Sequence, residues 1–430
     1  MKRVLVISYY WPPAGGSGVQ RWVKFAKYFP ALGWQPVIYT PDNPEMIAKD
    51  DALGADVPPE AEIIRRKIVE PYGIYRSLFG RKGGGTSSEV NPIHGGKKSF
   101  AARLSLFVRA NAFIPDPRCL WIRPSVRFLK QYLQAHPVDA IVSTGPPQSM
   151  HLIARGVARA TGIPWVADFR DAWTKMFYYK HLPLTRWADA LHRRQERSVL
   201  DEATRVVSVS PREQRDFQAM TRNTVFLLTN GYDSDDYAAA FTPDGRFNVT
   251  HTGLFAADGN SEALWRVLAA KKAADPAFAQ ALRIRFSGKT DAAVFASIRA
   301  AGLGDCLVDN GYCPHPAAVA EQRGASVLLI SLRREPEYAS ALPGKVFEYL
   351  ASRRPVLGVG QPDSVMAEVV RGAGAGEVFD WEDEAGIRTF IDGVWERFRK
   401  GSSLDNPQDI SRFSRKELAR KYVELLEGML

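Results

Sequence analysis

A chain of 430 residues is too long for one comfortable hydrophobic core, so two or three domains are expected. With 45% hydrophobic and 24% charged residues it has an ordinary globular composition, which excludes a disordered or fibrous chain. No run nears the roughly 18 apolar residues of a spanning helix, so membrane contact would be peripheral, and three cysteines (Cys119, Cys306, Cys313) without disulfide or zinc spacing suit the cytosol.

Met1-Lys2-Arg3 precedes the apolar run Val4 to Ile7, too short for a secretion signal and read instead as a first buried strand. Next come the turn Ala14-Gly15-Gly16-Ser17-Gly18 and a helical pattern from Val19 to Tyr28. A glycine-rich strand-to-helix turn brings backbone N–H groups close to an anion, which makes Gly16 and Gly18 candidate contacts to a negatively charged ligand; a packing turn is the alternative. Arg21 stands where a dinucleotide fingerprint has glycine, which argues against a nicotinamide cofactor.

Apolar runs then alternate with helical patterns through Pro36 to Tyr39, Ala140 to Ser143, Trp165 to Ala167, Val206 to Val209 and Val225 to Leu228. This is the signature of βαβ units on a parallel sheet, where ligands bind beyond the carboxyl ends of the strands. Two polar strings fall there. One is Ser143-Thr144-Gly145-Pro146-Pro147-Gln148-Ser149-Met150-His151, whose histidine either faces a cleft or is a buried structural residue. The other is Asp168-Phe169-Arg170-Asp171, whose charges either meet a ligand or pair with one another.

Asp, Ser, Pro and Gly concentrate at residues 232–246 and mark a boundary. Asp233-Ser234-Asp235 follows the turn Asn230-Gly231 and reads as a helix cap rather than a metal site. A second strand series runs through Phe247 to Thr250, Leu282 to Phe286, Cys306 to Val308, Val327 to Ile330 and Pro355 to Val359. Leu418, Tyr422, Leu425 and Leu426 then pattern a closing helix. The predicted class is α/β, two doubly wound halves: residues 1–235, residues 236–410, and a closing helix over 411–430. Between the last strands, Pro343-Gly344-Lys345-Val346-Phe347-Glu348-Tyr349-Leu350 begins a helix. Lys345 and Glu348 share a face, either as an exposed ion pair worth about 0.2–0.5 kcal/mol or as contacts to a diphosphate and to ribose hydroxyls, with Gly344 at the helix start.

Taken together, Tyr10-Trp-Pro-Pro-Ala-Gly-Gly16, Thr144-Gly-Pro-Pro-Gln-Ser-Met-His151, Trp165-Val-Ala-Asp-Phe-Arg-Asp-Ala-Trp173, Thr229-Asn-Gly-Tyr-Asp233 and Pro343-Gly-Lys-Val-Phe-Glu-Tyr-Leu-Ala351 resemble, in order and spacing, the family-4 glycosyltransferases of bacterial envelope and exopolysaccharide synthesis. The resemblance implies the GT-B fold, two Rossmann-like domains facing a cleft. It also implies retaining, metal-independent transfer of a hexosyl or N-acetylhexosaminyl group from a UDP- or GDP-sugar, without a cofactor. Gly253, Lys289, Arg333, Gly344, Lys345 and Glu348 would then serve the donor, with Gly16 and Gly18. Two departures stand out. The family's first carboxylate, eight residues before Glu348, is Ser340 here, so Glu335 or Glu337 would substitute; and Leu254 follows Gly253 where an arginine is frequent, which turns attention to Lys289, Arg333 or Arg334. His151, Lys345 and Glu337 are the catalytic candidates on this reading.

Residues 61–134 hold fourteen Lys or Arg against four Asp or Glu, an excess equal to the net charge of +10 of the whole chain. Phe100, Leu104, Phe107 and Val108 interleave there with Arg103 and Arg109, and Trp121 and Phe128 with Arg123 and Arg127. Such a stretch suits an anionic membrane surface or a phosphorylated lipid carrier, and a solvated face is the alternative; no nucleic-acid-binding pattern accompanies it. The expected partners are the nucleotide diphosphate-sugar, a lipid-linked or glycan acceptor met by Asp168, Arg170, Asp171, Trp121 and Arg123, and the inner membrane face. Rival readings are a nucleotide-sugar epimerase or hydrolase of the same fold, and a non-catalytic glycan or lipid-surface binding protein.

Overall fold

A computed structural model describes residues 1–45, 50–70, 100–176, 178–238, 241 and 243–430. The glycine-rich stretches at residues 83–88 and 95–96 lie outside them, as does the side chain of Phe100. Two compact units emerge: residues 1–229 with 418–430, and residues 230–417.

In the first unit β1 (Lys2–Ile7), β2 (Trp34–Pro41), β3 (Glu62–Arg66), β4 (Ala140–Gly145), β5 (Trp165–Phe169), β6 (Arg205–Ser208) and β7 (Val225–Leu227) form one sheet in the order β3-β2-β1-β4-β5-β6-β7, every pairing parallel. The crossovers include α1 (Ser17–Tyr28), α2 (Phe100–Ala112), α3 (Ile122–Ala135), α4 (Ser149–Thr161), α5 (Arg186–Glu202) and α6 (Pro211–Gln218). A parallel strand covered on both faces must be apolar at every position. β1 meets that demand: Leu5 and Ile7 enter one core, Val4 and Val6 the other. The direction of winding reverses between β1 and β4, so the loops after these two strands diverge and leave a crevice at their carboxyl ends.

The second unit repeats the plan with β8 (Phe247–Thr252), β9 (Leu282–Ser287), β10 (Leu307–Asp309), β11 (Val327–Ser331), β12 (Val356–Val359) and β13 (Gly376–Phe379), in the parallel order β10-β9-β8-β11-β12-β13. Its helices are α7 (Glu262–Ala274), α8 (Pro276–Ala281), α9 (Ala292–Ala300), α10 (His315–Arg323), α11 (Lys345–Ala351), α12 (Val365–Gly372) and α13 (Glu384–Arg399). The last helix, α14 (Arg415–Glu427), buries Leu418, Tyr422 and Leu426 in the first unit, with the Tyr422 ring 5.2 Å from Trp22 and 5.4 Å from Phe25.

The units divide after Thr229 rather than after residue 235, and residues 411–417 stay with the second unit. The cause is a short parallel bridge: Tyr232 N donates to Phe413 O and Arg415 N to Tyr232 O, tying residues 230–238 to the chain before α14. Asp233 caps the turn Ser234–Tyr237 by accepting from Asp235 N at 3.2 Å. Two strands went unforeseen, β3 and β13. Both are sheet edges with few fully buried positions, where apolar periodicity is weakest.

Candidate functional site

In the second unit the loops after β8 and β9 meet through glycines. Gly253 N donates to Ser287 O at 2.7 Å, and Gly288 N to Gly311 O at 2.7 Å. Gly253 has φ +90°, a left-handed conformation that glycine alone adopts freely, and a Cβ there would lie 3.2 Å from Lys345 Nζ. This close approach sets the lysine against the loop. Its ammonium hydrogen-bonds Leu254 O at 3.2 Å and lies 3.2 Å from His251 Nε2. The side chain is partly exposed yet ringed by protein atoms, and that desolvation brings its pKa down to about 8 against the opposing pull of Glu348.

Glu348, one turn along α11, points elsewhere. Its Oε2 accepts from Gln322 Nε2 at 3.0 Å, and the same amide nitrogen donates to Thr252 Oγ1 at 3.0 Å. Gln322 is fully buried on α10, and its Oε1 accepts from Tyr237 Oη at 3.1 Å and from Ser352 Oγ at 3.4 Å. The amide is therefore fixed at both ends and holds the carboxylate still. Among the described residues no ion pair within 4.0 Å joins Lys345 to Glu348, so the surface-pair alternative does not describe them. Gly344 precedes an α11 of only seven residues, too short for its macrodipole to matter much.

The other donor candidates are more dispersed. Lys289 is exposed, and its carbonyl accepts from Phe255 N at 3.0 Å. Arg333 lies 3.5 Å from Asp258 and 5.6 Å from the Tyr338 ring centroid. Burial raises the pKa of Asp258 against that arginine. Glu337 is half-buried on the turn Pro336–Ser340, directly ahead of α11.

In the first unit Gly16 has φ +104° and opens α1 without a side-chain cap. A Cβ on Gly18 would lie 2.6 Å from Arg170 Nη1. That guanidinium donates to the carbonyls of Gly18 and Pro146, and more weakly to Gly145 O at 3.4 Å, pinning the loop after β1 to the loop after β4. Arg170 is thus a clamp between two loops and not an open acceptor contact. His151 is fully buried on the first turn of α4, with Nδ1 2.8 Å from Ser143 Oγ and its ring 4.3 Å from Phe169. Burial drags its pKa to about 3, so the ring is neutral. Among the described residues its Nε2 has no hydrogen-bond partner, nor have Gln148 Oε1 and Thr144 Oγ1. Both Nε2 and Gln148 Oε1 face Gly145, at 2.5 and 2.7 Å from where a Cβ would stand. The start of α4 itself is occupied by Asp116, whose carboxylate accepts from Ser149 N and Ser149 Oγ at 2.8 and 2.9 Å.

Two acceptor candidates are packing residues instead. Asp168 is wholly buried, accepting from Arg21 Nε and Nη2 at 3.1 and 2.9 Å and from Trp22 Nε1 at 2.8 Å. Trp121 is buried and stacked on Tyr39 at 4.9 Å. Asp171 stays half-buried beside this knot, where burial raises its pKa to about 6. Glu213, which the sequence did not single out, is pushed up to about 8 by burial and by the charge of Asp171. Arg123 and Arg103 are exposed, and Leu104, Phe107, Val108 and Leu120 are exposed apolar residues. Asn111 joins α2 to Pro183 O and Thr185 N at 2.9 and 2.7 Å, and exposed Trp187 follows that junction. Among the described residues no helix is long and apolar enough to cross a membrane, and no group of three metal-ligating side chains occurs.

Of the residues that shape these sites, Arg21, His251, Gln148, Glu213 and Gln322 were missed by sequence reasoning. His251 stood two residues before the glycine turn and carried a signal of position; Gln322 had none.

Among curated proteins none matches the sequence significantly. Solved structures do. Sucrose-phosphate synthase from Thermosynechococcus elongatus aligns at TM-score 0.61 with 15% identity, covering 100% of this chain and 99% of that one. WaaG, a glycosyltransferase involved in lipopolysaccharide biosynthesis, aligns at 0.54 with 13% identity over 99% and 100%. An E. coli trehalose-6-phosphate protein bound with UDP-2-fluoroglucose aligns at 0.58 with 10% identity over 100% of both chains. At such identities the likeness carries the fold, the α/β two-domain GT-B type. The model of the glycosyl transferase 4-like domain matches residues 15–231, half of the sequence, and the chain belongs to that glycosyltransferase family.

Proposed function

We propose that this glycosyltransferase takes its sugar from a nucleotide diphosphate-sugar, UDP- or GDP-linked, bound by the second unit, and passes it to a lipid-linked or glycan acceptor bound by the first, in surface polysaccharide synthesis. One observation carries the donor assignment. Lys345 holds an ammonium against the glycine turn after β8, while the carboxylate of Glu348 is fixed separately by Gln322. A cation at a turn of close backbone approach suits a diphosphate, and an immobilised carboxylate suits a pair of ribose hydroxyls. The E. coli neighbour, bound with UDP-2-fluoroglucose, is consistent with a ligand of this chemistry. Retention of configuration and metal independence come from the family resemblance, with Lys345 as the protein's own counter-charge to the leaving diphosphate.

On the acceptor side the assignment narrows to Asp171 and Arg123, because Asp168 and Trp121 are buried and Arg170 is a clamp. Membrane association at the inner face is supported by the exposed Leu104, Phe107 and Val108 beside Arg103. Titration calorimetry with UDP and GDP tests the donor assignment. Lys345→Ala and Glu348→Ala should each weaken binding at least ten-fold without lowering the melting temperature by more than a few degrees; unchanged affinity in both would overturn it.

A further inference from the structure

Lys345 and the buried His251 form a contact that the donor reading does not use. The imidazole is almost inaccessible, with Nδ1 2.9 Å from Leu329 O and Nε2 3.2 Å from both Leu254 O and Lys345 Nζ. Burial and the neighbouring ammonium hold its pKa well below the ordinary histidine value, so the ring is neutral and carries one hydrogen. Only one tautomer satisfies every group. With hydrogen on Nδ1, that atom donates to Leu329 O, Nε2 accepts from the ammonium, and Leu254 O accepts a second ammonium hydrogen. With hydrogen on Nε2, the Nδ1 lone pair would face a carbonyl oxygen and the ammonium would face an N–H. Two of the three Lys345 hydrogens are thereby directed inward, and the third is left for a ligand beside Gly253.

We infer that His251 is a positioning residue for donor binding: as the Nδ1–H tautomer it seats the Lys345 ammonium beneath the glycine turn and stabilises its charged form, in place of the arginine that Leu254 does not supply. The inference rests on the donor reading above. Among the described residues the titratable groups acting on the ammonium are His251 from β8, in contact with it, and Glu348 from α11, whose carboxylate is turned to Gln322 and acts only through its charge; Tyr349, from α11 as well, is occupied by Thr252 N at 2.9 Å and Leu329 O at 3.3 Å. A lysine that loses a hydrogen-bond acceptor in a desolvated site holds its proton less firmly, so losing Nε2 should weaken anion binding most at alkaline pH.

His251→Asn is the informative change, because its amide can still donate to Leu329 O but is too short to reach Lys345. His251→Phe is the second variant, retaining the ring packing against Phe255 at 4.7 Å. UDP and GDP affinities of the full chain are measured by calorimetry from pH 6.5 to 9.5, with thermal melting to score folding. Wild-type affinity should fall as pH rises through about 8, and either His251 variant should shift that fall to lower pH and weaken binding at pH 8 about ten-fold, the order expected for one charge-assisted hydrogen bond. In the Lys345→Met background the same His251 change should alter affinity less than two-fold. An equal loss in both backgrounds, or no shift of the alkaline limb, overturns the inference and leaves the donor reading standing. If Lys345→Met itself changes neither affinity, or neither nucleotide binds, the donor reading fails first.

Discussion

Asp168→Ala separates a structural carboxylate from an acceptor contact. In the wild type Asp168 and Arg21 have no exposed side-chain surface and share two hydrogen bonds of 2.9 and 3.1 Å, with Trp22 Nε1 adding a third at 2.8 Å. Arg21 also donates to Leu228 O and Thr229 O at 2.9 and 2.8 Å, closing the carboxyl end of β7 onto α1. Removing the carboxylate leaves a guanidinium in the interior with only carbonyl partners and an indole N–H with none. Breaking a buried pair in this way costs about 3–5 kcal/mol. In a unit of this size that is a fall of about 10 °C in melting temperature. Urea denaturation should show a lower midpoint for the first unit and an unchanged transition for the second. Because the penalty is mostly the stranded charge, adding Arg21→Met to Asp168→Ala should recover part of the loss rather than deepen it. An Asp168→Ala protein that melts like wild type but no longer transfers sugar to its acceptor would refute this account and return Asp168 to the binding surface.

The neutral, buried His151 should make the first unit acid-sensitive. Its folded pKa of about 3 lies below the unfolded value of about 6.5, so its contribution is complete above pH 6.5 and is lost as pH falls toward 3, reaching about 4–5 kcal/mol. Replacing it by Gln should remove one proton from the acid slope of stability, measured by urea midpoints at successive pH values. If Lys345 is the counter-charge to the leaving diphosphate, transfer should persist in excess chelator; complete loss restored by manganese or magnesium would contradict that. Anionic liposomes should sediment the protein at low salt and progressively less as salt rises, since each basic side chain near the surface contributes about 1 kcal/mol, screened beyond a Debye length. The combined change of Arg103, Arg109, Arg123 and Arg127 to Gln should abolish it while leaving nucleotide binding intact.

The two parallel sheets were legible because their inner strands are apolar at every position, as at Val4 to Ile7 and Val327 to Ile330, and turn residues separate them cleanly. Edge strands β3 and β13 lack that signal. Lys345 and Glu348 were legible as a local motif, but what orients them was not: His251 is 94 residues from Lys345, and Gln322 is 26 from Glu348. The same limit governed Asp168. Charges at a strand end had to find partners, yet the partner was Arg21, 147 residues away on a helix that reads as an ordinary amphipathic segment. Trp121 was misplaced for a related reason, since an aromatic among arginines on a sequence stripe looks like a surface residue until Tyr39 covers it.

The first unit treats its polar groups in two opposite ways. Arg21, Asp168, Arg170 and Asp116 have their hydrogen bonds answered within the protein and lock the loops after β1, β4 and β5 to one another. Thr144 Oγ1, Gln148 Oε1 and His151 Nε2 are also buried and have no partner among the described residues. A buried polar atom left unanswered costs about 1–3 kcal/mol, and three of them fall within the eight residues from Thr144 to His151. When the Ser143 hydroxyl donates to His151 Nδ1, the ring hydrogen sits on Nε2, so a donor and an acceptor stand side by side facing Gly145. That is the complement of a sugar hydroxyl, which both accepts and donates. Arg170 ties this loop to the loop after β1, and if the pair meets an acceptor hydroxyl, Gln148→Leu should weaken acceptor binding without lowering the melting temperature, whereas a more stable protein with unchanged transfer would mark the unanswered atoms as packing alone.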